Sequence, residues 1–307
     1  MNSKIFGKTF IFLLVCLFIL DLLIGKVLKF SYFNQKNGKL YNLTIGLEHQ
    51  QNDVLIFGSS RAMHHYDPEI ISDSLMMTCY NMGYDGKGIL YHNAVLDVIL
   101  ERYTPKIIVL DILSEELFEK PQSYDHLSIL NPYAHNHPVL WNTLSLVSPF
   151  EKLKHISFIY PYNSTLLRVI AGNIKRGGKD ISDNGFTPQD GLIKLPVKQV
   201  PINMDARIDS NKLDAFDKFL LKCAKNNVEL YVVFSPTFSI PQASSSMECI
   251  ADRCNNIGIP FINFSNDCNY TNYELFLDED HLNSHGAVVF SKDISSKILK
   301  ERNWKLK

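Results

Sequence analysis

Residues 53–61, with the sequence Asp-Val-Leu-Ile-Phe-Gly-Ser-Ser-Arg, constrain the fold of this chain more than any other stretch. Mostly apolar, β-forming residues run into a glycine and two serines, which predicts a buried strand that ends in a turn. Such a turn lifts the next side chain to the carboxyl edge of a sheet, where ligands bind in open α/β folds. Because Gly-Ser-Ser is also typical of an ordinary turn, the stretch makes Ser60 only a candidate site residue.

Apolar runs and helical patterns alternate along much of the remaining chain. The predicted strands are 54–57, 77–80, 107–110, 229–234 and 260–264. The predicted helices are 88–102, 212–226, 244–257 and 284–301. Continuous apolar strands are typical of parallel sheets that are covered on both faces. The alternation therefore predicts an α/β fold, a three-layer doubly wound (flavodoxin-like) parallel sheet of about five strands.

The N-terminal segment predicts a membrane anchor at residues 1–29. Residues 9–28 are strongly apolar, and twenty helical residues span about 30 Å, the thickness of a hydrocarbon core. No small-x-small cleavage site follows, which favours an uncleaved anchor over a signal peptide. Lys4 and Lys8 predict a cytoplasmic N-terminus and a single-pass protein with its main domain outside the cytoplasm. Asp21 is costly in lipid, so we expect it either to face a partner helix or to lie near the outer interface.

Three further boundaries follow from composition. Residues 30–52 are polar and aromatic and are predicted to be a linker, and the α/β domain is predicted to occupy 53–307. Within it, the strand–helix alternation fails over residues 117–207, where prolines and aromatic residues are frequent. We interpret this stretch as an irregular insertion that contains short helices, because a structureless stretch of that length is unusual in a compact domain.

Charge and motif content exclude several function classes. The net charge of −1 gives no broad attraction to nucleic acid. The six cysteines show no zinc-binding spacing, and no Gly-x-Gly-x-x-Gly or P-loop motif is present, so neither a metal nor a cofactor is expected. Cys249, Cys254 and Cys268 leave two alternatives open, a disulfide in an exported domain or buried free thiols.

Two later motifs add candidate chemistry to Ser60. Asp278 precedes His281 by three residues at the start of a predicted helix, so its carboxylate can orient one imidazole nitrogen while the other accepts a proton from a serine. Asn81-x-Gly83 follows the second predicted strand, and the Gly83 backbone N–H can stabilise an oxyanion.

Four blocks together resemble a known family: Gly58-x-Ser60, Asn81-x-Gly83, Asp278-x-x-His281, and Leu282-Asn283 with Gly286-Ala287. They resemble the SGNH (GDSL-type) hydrolase superfamily. Within it, the Gly-Ser-Ser variant is similar to the D-alanyl-lipoteichoic-acid transfer protein and to polysaccharide O-acetylation proteins. The resemblance extends in order from about residue 53 to the C-terminus, although residues 117–207 match no part of it.

The resemblance implies a role for each of these residues. Ser60 would be the nucleophile, His281 the base and Asp278 the residue that orients it, with an oxyanion hole formed by the backbone N–H groups of Ser60 and Gly83. The family's third-block asparagine has no counterpart after the strand at 107–110, and whether Asn81 replaces it stays open.

Each assignment has a structural alternative. Ser60 could cap the following turn, Asp280 could cap the terminal helix, and His285 lies one turn beyond His281. Arg61, His64 and His65 follow the nucleophile. Arg61 and His64 are tentative contacts for an anionic or sugar substrate, although solvated surface is the default expectation for all three.

The predicted function is a membrane-anchored serine esterase or O-acyltransferase that acts on acyl esters of cell-envelope polysaccharide. Its expected partners are an acylated glycan or small acyl ester and a multispanning membrane acyltransferase. The alternative is a non-catalytic envelope assembly or binding protein that retains the fold, which the missing third-block asparagine favours.

Overall fold

The computed structural model describes residues 3–174, 184–195, 206–239 and 244–305. Its helices are α1 (Ser3–Phe33), α2 (Lys39–Thr44), α3 (Ser60–His65), α4 (Pro68–Leu75), α5 (Ile89–Arg102), α6 (Gln122–Asp125), α7 (Leu140–Leu144), α8 (Glu151–Lys154), α9 (Leu166–Ile174), α10 (Ser210–Lys225), α11 (Ser245–Asn256) and α12 (Ser284–Lys305). Its strands are β1 (Val54–Phe57), β2 (Cys79–Asn81), β3 (Ile107–Asp111), β4 (Glu229–Phe234) and β5 (Phe261–Asn263).

The five strands form one parallel sheet in the order β2-β1-β3-β4-β5. This is the order of flavodoxin-like folds, and it confirms the predicted fold class. Each strand of the predicted set is present within a few residues of its expected position. Because all strands run in the same direction, the residues that follow β1 and β4 lie at one carboxyl edge.

Alternate residues of β1 point to opposite faces of the sheet. Val54 and Ile56 belong to a buried core with residues of α4 and α12, among them Ile71 and Phe290. Phe57 points the other way, and its ring lies 5.5 Å from that of Phe219 on α10. Both faces of the sheet are therefore covered by helices, which explains why β1 and β3 are buried along their whole length.

The chain divides into two compact units. The first comprises Met1–Tyr41 and Leu127–Gly177, and the second comprises Asn42–His126 and Gly178–Lys307. In the first unit, Tyr32 at the end of α1 packs against Tyr133 and Tyr162, with ring centroids 5.7 and 5.6 Å apart. The second unit holds the sheet.

One helix, Lys4–Phe33, is long and apolar enough to cross a membrane among the residues that the structure describes. It extends beyond residue 29, the predicted end of the anchor. The predicted linker, residues 30–52, is mostly helical, with α2 followed by a π-helical turn at Ile45–His49. Arg102 donates hydrogen bonds to carbonyls of that turn and to Gln50 O. The domain boundaries themselves stay a prediction.

The insertion at 117–207 contains short helices, as predicted. Over 117–174, 184–195 and 206–207, the parts that the structure describes, it adds no strand to the sheet and forms only an isolated bridge between Phe118 and Ile208. All six cysteines are free thiols, so the disulfide alternative among Cys249, Cys254 and Cys268 is not formed.

Candidate active site

Ser60 lies at the carboxyl edge of the sheet, directly after β1. Gly58 makes the turn with a φ of +146°, and a Cβ there would lie 2.7 Å from Ala62 Cβ and 2.8 Å from Asp111 O. Only glycine fits this conformation and this close approach. The turn makes Ser60 the first residue of α3 and leaves its side chain partly exposed.

Ser60, His281 and Asp278 form a continuous hydrogen-bonded chain. His281 Nδ1 lies 2.9 and 3.0 Å from the two Asp278 carboxylate oxygens, so Nδ1 donates and Nε2 is left as an acceptor. Ser60 Oγ lies 2.7 Å from Nε2 and donates to it. The contacts that the sequence predicted across 221 positions are present, while the catalytic roles of these residues stay a prediction.

Asp278 is held in its ionised form. Burial raises the pKa of this carboxyl, but hydrogen bonds from the His281 ring and from the backbone N–H groups of Asp280 and His281 outweigh it, and the net pKa shift is downward. An ionised Asp278 fixes the imidazole tautomer whose Nε2 can accept a proton. The two rival residues, Asp280 and His285, are both exposed to solvent.

The residues after His281 shape the loop that carries it. Asn283 Nδ2 donates to Glu274 O at 2.8 Å and to Gly191 O at 3.0 Å. Its Oδ1 accepts the Gly286 N–H, the geometry of a helix N-cap for α12. A Cβ at Gly286 would lie 2.1 Å from Leu275 O, so the glycine allows α12 to begin against this backbone.

His65 is a residue that sequence reasoning misjudged, since solvated surface was its default expectation. It is fully buried, and its Nε2 accepts the Leu282 N–H at 3.0 Å. Its Nδ1 lies 3.2 Å from Ser235 Oγ, and Ser235 also hydrogen-bonds Asp111. His65 thereby fixes the His281 loop to α3 and to the end of β4. Ser235 directly follows β4 and so lies at the same sheet edge as Ser60, and this position is the one signal in the sequence for the contact.

His65 predicts a specific acid sensitivity of the fold. Burial, and then the positive charge of Arg61, lower the pKa of His65 well below its ordinary value of 6.5. Below about pH 6.5 the unfolded chain binds a proton at this position and the folded chain does not. The free energy of unfolding therefore decreases as the pH is lowered, by up to about 1.4 kcal/mol per pH unit. A His65→Gln variant should lack this contribution, so its free energy of unfolding should depend less steeply on pH between about pH 6.5 and 5. Urea unfolding in detergent at several pH values measures the difference. Parallel pH profiles for variant and parent would contradict the assignment.

Arg61 and His64 are also buried, so the default expectation of solvated surface is wrong for both. Arg61 is 2% exposed. Its guanidinium donates to Ile112 O, lies 3.4 Å from Asp111 Oδ1 and stacks 4.3 Å from the centre of the Phe234 ring. These contacts place Arg61 in the interior and give it a structural role, and its assignment as a substrate contact stays a prediction.

His64 lies beside the candidate base. Its ring centroid is 5.9 Å from that of His281. Its Nδ1 donates to Thr187 O at 2.6 Å, and its Nε2 lies 3.3 Å from Gln189 Nε2 and 3.4 Å from Asp85 Oδ1. The location suits a residue that lines the site, and substrate binding by His64 stays a prediction.

Asn81 and Gly83 are engaged with each other and with α3. The Gly83 N–H donates to Asn81 Oδ1 at 2.8 Å. The Asn81 Nδ2 group donates to Ala62 O at 2.7 Å and to Tyr66 O at 2.9 Å. Neither the Gly83 N–H nor the Asn81 amide is free for an oxyanion in this arrangement, so an oxyanion role for either group would require these hydrogen bonds to change, and that role stays a prediction. The Ser60 backbone N–H belongs to the first turn of α3, whose N–H groups have no acceptor within the helix.

Part of the insertion contributes to the site, which the sequence did not indicate. In the segment 184–195, the Thr187 N–H donates a hydrogen bond to Met63 O on α3. Gln189 O in the same segment accepts a hydrogen bond from the Ser284 N–H. Ile193 N donates to Phe276 O, next to the candidate base. The segment therefore holds both the Ser60 helix and the His281 loop.

A metal site is not indicated. Within the described ranges, no group of three or more His, Cys, Asp or Glu side chains could hold a metal ion. The site instead contains a serine hydroxyl, an imidazole nitrogen that accepts its hydrogen bond, and an ionised carboxylate, connected by hydrogen bonds in that order. These are the groups that nucleophilic catalysis by a serine uses.

Comparisons with known proteins find similarity among solved structures. No family model matches the chain, and no curated protein matches it. Among solved structures, the chain is similar to an acetyl xylan esterase, Est2A, from the rumen bacterium Butyrivibrio proteoclasticus, at 10% sequence identity and a TM-score of 0.38. The likeness covers 82% of this chain and 64% of the esterase chain, so this chain spans less than two-thirds of that protein.

Proposed function

We propose that this protein is a membrane-anchored serine esterase or O-acyltransferase of the SGNH type. The observation that carries the proposal is the chain of contacts from Ser60 Oγ to His281 Nε2, 2.7 Å apart, and from His281 Nδ1 to the Asp278 carboxylate at 2.9 Å. A serine whose proton is already directed at an oriented imidazole is the arrangement of an activated nucleophile.

The proposed reaction has two halves. Ser60 Oγ attacks the carbonyl carbon of an acyl ester while His281 Nε2 takes the serine proton. The oxyanion that forms accepts a hydrogen bond from the Ser60 backbone N–H. The imidazolium then returns the proton to the departing alcohol, which leaves an acyl-serine. Water or a second hydroxyl attacks this ester by the same steps in reverse and frees Ser60.

The substrate and location follow from the family resemblance and from α1. The substrate is an acyl ester of cell-envelope polysaccharide, the acyl group is small, and transfer uses a glycan hydroxyl in place of water. Helix α1 anchors the protein in the cell membrane as a single span with the catalytic unit outside the cytoplasm. A multispanning membrane acyltransferase is the partner that supplies the acyl group.

A second candidate function is favoured by one observation. The Gly83 N–H donates to Asn81 Oδ1 and the Asn81 amide donates to α3 carbonyls, so in this arrangement neither group is free to join the Ser60 N–H in an oxyanion hole. Loss of one such donor costs about 10²–10³ in turnover. A non-catalytic envelope assembly or binding protein would retain the fold without needing them.

Fluorophosphonate labelling distinguishes the two functions, because the reagent reacts with an activated serine. The native full-length chain should form one covalent adduct at Ser60, located by mass spectrometry, and the Ser60→Ala variant should form none. Heat-denatured protein is the control for non-specific reaction. An intact, folded chain that takes up no label would exclude the esterase and leave the non-catalytic function.

A further inference from the structure

The first unit carries apolar side chains where a water-exposed surface would be polar. Phe150, Leu153 and Ile156 are 63%, 60% and 65% exposed. Three-residue spacing, with backbone hydrogen bonds from Lys154 N to Phe150 O and from Ile156 N to Leu153 O, places them on one helical face in and beside α8.

Two polar residues of the same segment face inward, whereas Lys152 and Lys154 are exposed on long stems whose ammonium groups can reach a headgroup region. Glu151 and His155 are both buried. Glu151 Oε2 accepts from Tyr160 OH at 2.7 Å, and His155 Nε2 donates to Asn131 Oδ1 at 3.0 Å. A surface helix in water has the opposite arrangement, with its apolar stripe inward. The segment is thus arranged for an apolar environment outside it.

Contacts with α1 fix the depth of this segment. The Phe158 ring packs edge-on to Phe18 of α1, with centroids 6.3 Å apart. One turn further along α1, the Asp21 carboxylate accepts from Ser157 Oγ at 2.6 Å and from the Phe158 N–H at 2.7 Å. Within the first unit, therefore, the chain around Phe158 lies alongside residues 18–21 of α1.

That part of α1 lies in the hydrocarbon core whichever way α1 crosses a bilayer. The core takes about 20 helical residues, and α1 runs from Ser3 to Phe33. Every placement of a 20-residue span within those bounds includes residues 14–22. Phe18 and Asp21 are then in the core, and Phe158 lies beside them at a similar depth.

Asp21 supports the same conclusion. A carboxylate in lipid requires partners from the protein, and Asp21 has three donors: Ser157 Oγ and the backbone N–H groups of Phe158 and Ile159. The sequence-based expectation was a partner helix or the outer interface. The structure instead provides the chain's own loop, which donates three hydrogen bonds to the carboxylate.

We propose that Phe150, Leu153, Ile156 and Phe158, here called the apolar collar, are immersed in the acyl chains of the membrane beside α1. The inference rests on the membrane anchor of the proposed function. The occupant of this surface is lipid, because the collar continues the lipid-exposed surface of α1 at the same depth, and the two exposed lysines beside it are long enough to extend toward the headgroups. The first unit then consists of a single membrane span and a second segment that enters the membrane beside it, rather than an anchor followed by a linker.

The test uses the full-length chain reconstituted in phosphatidylcholine vesicles that contain a phosphatidylcholine with a diazirine on its acyl chain. After irradiation, mass spectrometry should find lipid adducts on α1 and on the peptide that contains residues 150–158. Leu221 on α10 of the second unit is the control, because it is an exposed leucine outside the collar, with 61% of its surface exposed. It should carry no lipid adduct.

Paired variants separate the collar from the anchor. Leu153→Asp with Ile156→Asp should lower the adduct yield on the 150–158 peptide severalfold and leave that on α1 unchanged, whereas Leu221→Asp should change neither. Label on α1 without label on the collar of the parent protein would overturn the inference and leave the anchor intact. Absence of label on α1 would overturn both the anchor and the inference. The same experiment in native membranes would overturn the inference if the collar formed adducts with a protein and none with lipid.

Discussion

Replacing Ser60 by alanine is expected to lower turnover of p-nitrophenyl acetate by about 10⁶-fold, the loss measured when a triad nucleophile is removed. The reason is the loss of the hydroxyl that lies 2.7 Å from His281 Nε2. Ser60 is partly exposed at the end of a strand, so stability should change little, and circular dichroism of the variant should match that of the parent.

His281→Ala is expected to cost nearly as much as Ser60→Ala, and the double variant little more, because triad members act as a unit. Asp278→Asn should cost about 10⁴-fold, since an asparagine permits the wrong imidazole tautomer. His285→Ala is the matched control, because His285 lies four residues after His281, in the first turn of α12, and is exposed. If His285→Ala removed turnover and His281→Ala did not, the base would be wrongly assigned. If no variant differed from the parent, the non-catalytic function would replace the esterase.

Replacing Arg61 by methionine is expected to lower the free energy of unfolding by about 3–5 kcal/mol, the usual cost of removing one partner of a buried ion pair. The variant leaves Asp111 buried without the guanidinium 3.4 Å away. Burial already raises the pKa of Asp111, and the charge of Arg61 is the largest opposing effect. Urea unfolding in detergent measures the difference.

Two controls identify the cause. Arg61→Met combined with Asp111→Asn should recover much of the loss, because the asparagine carries no charge and still accepts the Tyr66 hydroxyl, which now donates to Asp111 Oδ2 at 2.6 Å. Arg302→Met removes a surface pair with Glu229 and should cost less than about 1 kcal/mol. A stable Arg61→Met variant with a raised KM would instead restore Arg61 as a substrate contact.

The sheet could be predicted from the sequence because its strands are continuous apolar runs bounded by polar turns. Ile107–Asp111 and Glu229–Phe234 are examples, and a parallel sheet buried on both faces requires this pattern. The contact between Ser60 and His281 was also predictable, since parallel strands bring their following residues to one edge. Neither conclusion needed knowledge of the insertion.

The environment of α3 could not be predicted in the same way. Arg61, His64 and His65 are polar residue types that usually lie at the surface, yet each is buried by segments remote in sequence. Thr187 and Gln189 come from the insertion, where no periodic pattern indicated a position. Asn81 was predicted to serve an oxyanion, and its amide instead satisfies carbonyls of α3 that only the folded chain brings near. Side-chain partners of this kind depend on tertiary structure that local sequence does not encode.

The first unit is discontinuous in sequence, and this affects how the protein is made. Ser157 follows Asp21 by 136 positions, which at about 5–20 residues per second corresponds to an interval on the order of ten seconds during synthesis. In that interval α1 has emerged, but the hydroxyl and N–H groups that satisfy the Asp21 carboxylate do not yet exist. In the proposed membrane-anchored protein, the nascent helix must therefore keep Asp21 in contact with water until the chain around Ser157 arrives.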